Sequence, residues 1–218
     1  MTMRCADEEA STDYFGDLVP FSDPYWYMDW ASPFYNDSHK RVRAFMRKFT
    51  DRFLTPNAML WDDQKQIPLD DFRRVASAGI LAGIAGGSGW LDDEYTHGIN
   101  VPGGVDPGEW DAFHNLVVVD ELSRTGSGGV LWGLIGGFGI GLPPVIHFGS
   151  DELKREIVRP CLLGDKRICL AITEPSGGSD VANLTTTADK TADGEHYIVN
   201  GEKKWCVSLT CLRLVGKD

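Results

Sequence analysis

A turn rich in glycine and hydroxylated side chains lies between Thr173 and Ser179. Gly177 and Gly178 are adjacent, so backbone N–H groups there can approach a ligand without a Cβ in the way. Thr173, Ser176 and Ser179 place hydroxyl groups beside these glycines, and a hydroxyl group can both donate and accept hydrogen bonds. Such a set suits a polar, anionic or heteroaromatic ligand. The same residue types also dominate ordinary turns, so a plain strand-to-loop turn is the simpler interpretation of this stretch alone.

The cysteines and histidines form no recognisable metal-binding pattern. No two of the five cysteines form a Cys-x-x-Cys pair, and no histidine stands at metal-ligand spacing. Neither a zinc site nor a disulfide framework is indicated, and a reducing compartment is the default expectation. The cysteines are Cys5, Cys161, Cys169, Cys206 and Cys211.

The charge balance argues against a nucleic-acid partner. The 218-residue chain carries 32 acidic and 21 basic side chains, for a formal net charge of −11, which would repel a phosphate backbone. A hydrophobic content of 42% is typical of a soluble globular protein with a sizeable core. We therefore expect one large domain or two modest ones.

Neither end of the sequence carries a targeting signal that we can recognise. Residues 1–17 are acidic, without the basic flank and apolar run of a secretory signal and without the arginines of a transit peptide. The last three residues, 216–218, are not a peroxisomal tripeptide. We expect an intracellular protein, with mitochondria and peroxisomes both open.

The elements before the turn are predicted to be helical. Residues 14–35 interleave aromatic side chains with prolines, which predicts a segment anchored on a core by its rings; a partner-docking arm is the alternative. A helix with Asp37 or Ser38 as its N-cap follows, and its six basic residues are expected on a solvated face. Its apolar face comprises Val42, Phe45, Met46, Phe49 and Phe53.

Further helices are indicated by their start signals. A helix from about Asp70 turns Phe72, Val75, Ala76 and Ile80 inward. The residues at 106–109, Asp-Pro-Gly-Glu, have the pattern of a capping box and predict a helix start. Ser150 is predicted to cap a short amphipathic helix.

Residues 130–149 contain no Lys, Arg, Asp or Glu and are long enough to cross a membrane. Their glycines, the Pro143-Pro144 pair and His147 favour one or two buried helices instead. The Gly-x-Gly-x-Gly spacing at 137–141 follows no strand, so it predicts close helix packing or approach to a ligand, not a dinucleotide site.

The residues after the helices predict a small antiparallel sheet. Residues 167–173 have the pattern of a buried strand. Asp193-Gly194 and Asn200-Gly201 are typical of tight hairpin turns and separate strands predicted at 185–188, 197–199 and 203–207. The fold class is therefore α+β, an all-helical N-terminal domain followed by a partial antiparallel β-domain.

Two motifs in this part of the chain resemble a known family. The run AITEPSGGSD at 171–180, followed by YIVNGEKKW at 197–205, resembles the acyl-CoA dehydrogenase family at the start of its middle β-domain. The resemblance implies an FAD-dependent enzyme that oxidises an acyl-CoA thioester between its α and β carbons, in fatty-acid oxidation or in tailoring of secondary-metabolite acyl chains. The N-terminal region of the sequence resembles that of the fungal branch of the family.

The resemblance also implies a set of site residues. Thr173 would offer its hydroxyl to the flavin's pyrimidine end, Trp205 would cover one side of the ring system, and Ser179 would also meet the acyl-CoA. The implied flavin-contacting residues are Leu170, Ile172, Thr173, Gly178, Ser179, Trp205 and Val207. The electron acceptor, an electron-transfer flavoprotein or oxygen, stays open, and a homo-oligomer is expected for a complete member.

The sequence departs from the family pattern in three respects. Cys206 and Val207 replace the Ile-Thr that usually follows the tryptophan, and no aromatic residue stands at Leu170. The family's catalytic glutamate belongs to a C-terminal helical domain, so no catalytic residue is assigned here, and Glu174 and Asp180 are expected to have structural roles.

We therefore expect a truncated member of the family, with a non-catalytic remnant or binding module that pairs with a full-length relative as the alternative. The domains expected are an aromatic extension at 1–36, a helical domain at 37–165, a partial β-domain at 166–208 and an irregular tail at 209–218.

Overall fold

The computed structural model describes residues 23–28, 30–86 and 96–206. Within these ranges the chain forms a helical part followed by one antiparallel pair of strands, which confirms the predicted fold class. Short π-helical turns at Thr50–Leu54 and Gly136–Gly141 join neighbouring helices. The α-helices are α1 (Asp37–Phe49), α2 (Thr55–Gln64), α3 (Leu69–Ser77), α4 (Ile80–Gly86), α5 (Ala112–Ser123), α6 (Gly128–Ile135), α7 (Leu142–Phe148) and α8 (Asp151–Leu162). The strands are β1 (Thr187–Lys190) and β2 (Tyr197–Asn200).

The core lies among the helices, on the faces that the apolar spacing predicts. Val42 and Met46 of α1 are fully buried, and Phe53 is nearly so. The predicted inward residues of the second helical region, Phe72, Val75, Ala76 and Ile80, are all buried as well. Regular three- and four-residue spacing is enough to identify these faces, because every such face must be covered.

The N-cap of α1 lies one residue before the predicted position. Asn36 is the N-cap, and its Oδ1 accepts hydrogen bonds from the backbone N–H groups of Ser38 at 2.9 Å and His39 at 3.4 Å. In return, His39 Nδ1 accepts from the backbone N–H of Asn36 at 3.1 Å. Asn36 and His39 thus form a reciprocal capping box, so the prediction of Asp37 or Ser38 as the N-cap was wrong.

The prediction that all the basic residues of α1 lie on a solvated face was also wrong. Arg43 and Arg47 are only 3% and 4% exposed. Arg47 donates from Nε to Glu121 of α5 at 2.6 Å and from Nη2 to Asp23 at 2.7 Å. Arg43 donates from Nη1 to Asp120 at 2.8 Å. Carboxylates from two other parts of the chain make this burial tolerable, since a buried charge needs a close partner.

The described part of the aromatic segment packs on α1 through its rings. Trp26 stacks on Tyr35 with centroids 4.1 Å apart and only 5° between the ring planes. The guanidinium of Arg43 lies 5.7 Å from the Trp26 ring centroid. This agrees with the prediction of ring anchoring, whereas the docking-arm alternative stays open because Trp30 and Phe34 are exposed.

The helix predicted to start at 106–109 starts later. Pro107–Glu109 forms a single 3₁₀ turn, in which Asp106 Oδ1 accepts from the backbone N–H of Gly108 at 2.8 Å. The backbone then extends through Trp110, whose side chain is 4% exposed. Asp111 caps α5 instead, accepting from two backbone N–H groups, so burial of the indole outweighs the local start signal.

The uncharged stretch forms one continuous helical segment made of α6, the π-helical turn and α7. By length and composition alone, Gly128–Phe148 would be able to cross a membrane. Four of its side chains, Val130, Leu134, Phe138 and Leu142, belong to the buried core. Ser150 caps the next helix, α8, as predicted, with its Oγ accepting from the backbone N–H of Leu153.

The strand predicted at 167–173 is not formed. This segment is half-buried and joins no sheet within the described residues. It runs instead across the glycines of the π-helical turn: a Cβ at Gly137 would overlap the carbonyl oxygen of Ile168, and one at Gly141 would lie 3.2 Å from the carbonyl carbon of Cys169. The backbone thus packs on a helix, which an apolar pattern does not distinguish from strand pairing.

The hairpin around Asp193-Gly194 is confirmed, but its first strand begins later in the sequence than predicted. Thr187 pairs with Asn200 and Lys190 with Tyr197, so β1 begins two residues after the predicted position. Gly194 has a φ of 73°, which favours glycine in this turn. Residues 203–206 form no strand, and position 207 of the third predicted strand lies outside the described residues.

Candidate functional site

Four of the residues predicted to contact a flavin line one open cleft. Leu170, Ile172 and Thr173 line it from the segment that crosses the π-helical turn, and Trp205 lines it from the end of the described chain. The cleft encloses about 450 Å³, counting the part open to solvent. The remaining residues in its wall are Trp132, Gly136, Ile140 and Lys204.

The two segments that hold these residues are tied together by two consecutive lysines. The backbone N–H of Lys204 donates to the carbonyl of Thr173 at 2.8 Å. The ammonium of Lys203 donates to the carbonyl of Ile172 at 3.1 Å. These bonds fix Trp205 beside the 170–173 segment, although the two are more than thirty residues apart in the sequence.

Glu174 is the structural centre of the turn. Its carboxylate is buried and accepts from the backbone N–H of Thr185 at 2.7 Å, the backbone N–H of Thr186 at 2.9 Å and the Lys203 ammonium at 2.8 Å. The Lys203 ammonium and the hydroxyl of Thr185 hold the pKa of Glu174 well below its usual range. Glu174 is therefore an ionised carboxylate that is fully used in holding the turn.

The other predicted residues of the turn lie outside the cleft. Gly178 is half-buried, and a Cβ there would lie 3.6 Å from Thr173 Cγ2. Ser179 is exposed, and Asp180 accepts from the amide of Asn183 at 2.8 Å. Val207, the last predicted flavin-contacting residue, lies outside the described residues.

The N–H of Gly177 is not available to a ligand, because it donates to the carbonyl of Glu174 at 3.2 Å. In contrast, the backbone N–H groups of Leu170, Ile172 and Thr173 donate to no other group within the described ranges. Free donors therefore lie in the cleft segment, whereas one of the two N–H groups of the glycine pair is already used.

Trp205 presents its indole to solvent. The side chain is 77% exposed, and the residue has a φ of 62°, which is uncommon for a non-glycine residue and concentrates at functional sites. The ammonium of Lys204 lies 5.2 Å from the ring centroid. An aromatic ring that is exposed to this extent is available for stacking with a planar ligand.

Sequence reasoning missed the helical wall of the cleft. Trp132, Gly136 and Ile140 come from α6 and the π-helical turn. Their four-residue spacing would have placed them on one helix face. That signal was hidden because the surrounding stretch is apolar on every side.

The cleft residues fit a planar heteroaromatic group such as a flavin. Trp205 supplies an exposed ring, Leu170 and Ile172 supply an apolar surface, and Thr173 supplies a hydroxyl beside unpaired backbone donors. A ring system with one apolar face and one polar edge needs this combination of groups.

A second cluster brings together three potential metal ligands that are distant in sequence. His39, Asp111 and His114 hold their ligand atoms within 4.8 Å of one another. The two imidazoles stack with centroids 3.7 Å apart and 17° between planes, so their in-plane lone pairs run side by side instead of converging. Their remaining nitrogens contact Asn36 and Ser38.

The cluster is better described as a pair of linked helix caps. His39 and His114 each complete a capping box, at the starts of α1 and α5 respectively. Asp111 Oδ1 lies 3.1 Å from His39 Nε2 and 2.8 Å from His114 Nδ1. Burial lowers the pKa of His114, which favours the neutral ring that this stacked arrangement requires.

Two family models match the chain in succession. The N-terminal domain of acyl-CoA dehydrogenases matches residues 36–165, and the middle domain of acyl-CoA dehydrogenases matches residues 169–212. The first match alone covers more than half of the 218 residues.

Two of the curated relatives come from fungi. The acyl-CoA dehydrogenase AFT10-1 of Alternaria alternata is 40% identical over 197 residues, covering 90% of this chain and 45% of the relative. The acyl-CoA dehydrogenase apdG of Emericella nidulans is 41% identical over 190 residues, covering 86% of this chain and 43% of the relative. The chain thus spans less than half the length of these relatives.

Solved structures of the same family share the fold. An acyl-CoA dehydrogenase of Bacillus anthracis complexed with FAD is 25% identical with a TM-score of 0.64, over 82% of this chain and 28% of that one. An acyl-CoA dehydrogenase of Geobacillus kaustophilus is 28% identical with a TM-score of 0.64, over 79% and 40%. By sequence and by fold, this chain belongs to the acyl-CoA dehydrogenase family.

Proposed function

We propose that this chain provides the flavin-contacting part of an FAD-dependent acyl-CoA dehydrogenase, which carries out α,β-dehydrogenation of an acyl-CoA thioester. The observation that carries the proposal is the meeting of Leu170, Ile172, Thr173 and Trp205 in one cleft. These residues come from two distant segments and together offer an aromatic face, an apolar surface and a polar edge.

Each cleft residue has a definite task in this proposal. When bound, FAD supplies the acceptor for the hydride that leaves the β carbon of the thioester. Trp205 covers one face of the ring system and excludes water from it. The hydroxyl of Thr173 and the unpaired N–H groups of Leu170 and Ile172 hold the polar edge.

The proton-abstracting base must come from outside the described cleft wall. Dehydrogenation of a thioester requires a base within hydrogen-bond reach of the α carbon's proton. Among the described residues that line the cleft there is no carboxylate, and Glu174 is already held by Lys203 and the two threonines.

This arrangement also favours a second candidate, a flavin-binding module without turnover that pairs with a full-length relative. The two candidates share the cofactor site and differ only in whether a base is present. For the enzyme, we propose a role in fatty-acid oxidation or secondary-metabolite tailoring, an electron-transfer flavoprotein or oxygen as electron acceptor, and a homo-oligomeric assembly.

Titration of the purified chain with FAD tests the cofactor site. We expect changes in flavin absorbance and fluorescence on binding, and a Trp205→Ala variant should weaken binding about fivefold to tenfold through loss of ring stacking. Trp30→Ala, which removes another exposed indole, should leave FAD affinity unchanged. Equal FAD affinities for all three proteins would contradict the proposed site.

Dye-linked oxidation of acyl-CoA by the flavin-loaded protein separates the two candidates. Dye reduction that depends on the thioester supports the dehydrogenase. Bound flavin without any dye reduction supports the binding module.

A further inference from the structure

Trp132 is the bulkiest side chain in the helical wall of the cleft. It projects from α6 and is 54% exposed. Gly136, one helical turn later, makes room for it: a Cβ at Gly136 would lie 3.3 Å from Cε3 of the Trp132 ring. The glycine therefore lets the indole lie close along the helix, where it lines the cleft.

The helical wall also lacks charge. Residues 128–149, which provide Trp132, Gly136 and Ile140, contain no Lys, Arg, Asp or Glu. The single charged side chain among the described lining residues is Lys204, and its ammonium lies 5.2 Å from the ring centroid of Trp205. A ligand group against the helical wall meets only apolar surface.

Each of the two walls of the cleft suits a different ligand group. If the flavin takes the wall formed by Trp205 and the 170–173 segment, the thioester's acyl group has the helical wall left to it. Trp132 and Ile140 then stand where the acyl chain must extend, since both line the same cleft from that side.

We propose that Trp132, whose ring packs against Gly136, is a specificity-determining residue that limits the acyl group to short or compact, uncharged chains. This inference rests on the proposed function. The indole fills volume that further methylene groups of a longer chain would need, and the uncharged wall offers no partner for a terminal carboxylate, whose burial without a partner is costly.

Binding of CoA thioesters to the FAD-saturated chain tests the inference without relying on turnover. Isothermal titration calorimetry would compare butanoyl-, octanoyl- and dodecanoyl-CoA, and pentanoyl-CoA with glutaryl-CoA as a pair of equal carbon number. The unmodified chain should bind butanoyl-CoA at least about tenfold more tightly than dodecanoyl-CoA. It should also prefer pentanoyl-CoA to glutaryl-CoA.

Two substitutions at Trp132 should shift this preference in graded steps. Trp132→Ala should remove most of the preference for butanoyl-CoA by tightening the binding of dodecanoyl-CoA. The preference of Trp132→Phe should lie between those of the unmodified chain and Trp132→Ala. The graded pair keeps the test valid if the alanine variant folds poorly. Trp30→Ala is the control and should keep the preference of the unmodified chain, because Trp30 is not among the cleft residues.

The outcomes separate the inference from the function on which it rests. If FAD binds and both Trp132 variants keep the original chain-length preference, the inference is wrong and the proposed function stands. If the unmodified chain binds neither FAD nor any thioester, the proposed function is wrong and the inference falls with it.

Discussion

At the scale of single residues, the turn is organised by a buried carboxylate and not by its glycines. Glu174 gathers hydrogen bonds from Thr185, Thr186 and Lys203. Lys203 in turn reaches the carbonyl of Ile172 in the cleft segment. One glutamate thereby couples the turn, the start of the hairpin region and the cleft.

Replacing Glu174 with glutamine should destabilise the protein at neutral pH. The amide loses the charge that pairs with Lys203, and its NH₂ group would face the N–H donors of the threonines. Because the folded-state pKa of Glu174 is lowered, its stabilising effect is complete above the ordinary glutamate pKa and is lost as pH falls below it.

Urea unfolding at pH 7 and at pH 3 measures this effect. The midpoint gap between the unmodified protein and Glu174→Gln should be wide at pH 7 and narrower at pH 3. Glu202→Gln, which changes an exposed glutamate nearby, should leave the midpoint unchanged at pH 7. A gap that does not vary with pH would contradict the ion-pair explanation.

At the scale of elements, the cleft depends on the close approach of an extended segment to a helix. The 168–170 backbone lies on Gly137 and Gly141 of the π-helical turn. Side chains at these glycines would hold the two elements apart and displace Leu170 from the cleft wall.

Gly137→Ala should therefore lower the free energy of unfolding by about 1–3 kcal/mol, as overpacking does in other cores. It should also weaken FAD binding, because the segment that carries the cleft residues must shift. Thermal unfolding and the FAD titration together measure both effects.

Gly139→Ala is the matched control in the same turn. A Cβ there would lie 3.4 Å from Ile84 Cγ2, an ordinary contact, and replacing a helical glycine with alanine favours the helix by up to about 1 kcal/mol. Equal unfolding temperatures for the two alanine variants would show that the close approach at Gly137 does not limit stability.

At the scale of the whole molecule, a buried charge cluster joins three parts of the chain. Arg47 of α1 contacts Asp23 from the aromatic segment and Glu121 from α5. Arg43 lies beside it, with Nη2 3.1 Å from Glu121. The cluster adds buried ion pairs to the ring packing that holds the aromatic segment on the helical core.

Arg47→Met should lower the free energy of unfolding by about 3 kcal/mol, because it leaves two buried carboxylates with Arg43 as their shared partner. Chemical denaturation measures the loss. Arg41→Met, at an exposed position of the same helix, should change stability by less than about 0.5 kcal/mol. Similar losses in the free energy of unfolding for both variants would show that the buried ion pairs of Arg47 contribute nothing specific to stability.

The sequence by itself determined the family, the α+β class, the core faces of the helices and the first hairpin. It did so because these features depend on local spacing, such as Phe72 to Ile80 in the helices, or on a turn dipeptide such as Asp193-Gly194. The motif residues Leu170, Ile172, Thr173 and Trp205 were also identifiable from sequence alone.

Only the tertiary structure decided which residues share an environment. It placed Trp132 and Trp205 in the same cleft, buried Arg47 within a charged helix face, and laid the 167–173 segment on a helix instead of in a sheet. These outcomes depend on partners far away in the chain, such as Asp23 for Arg47. A local pattern records how a residue relates to its neighbours in sequence, and burial and charge pairing are settled by neighbours in space.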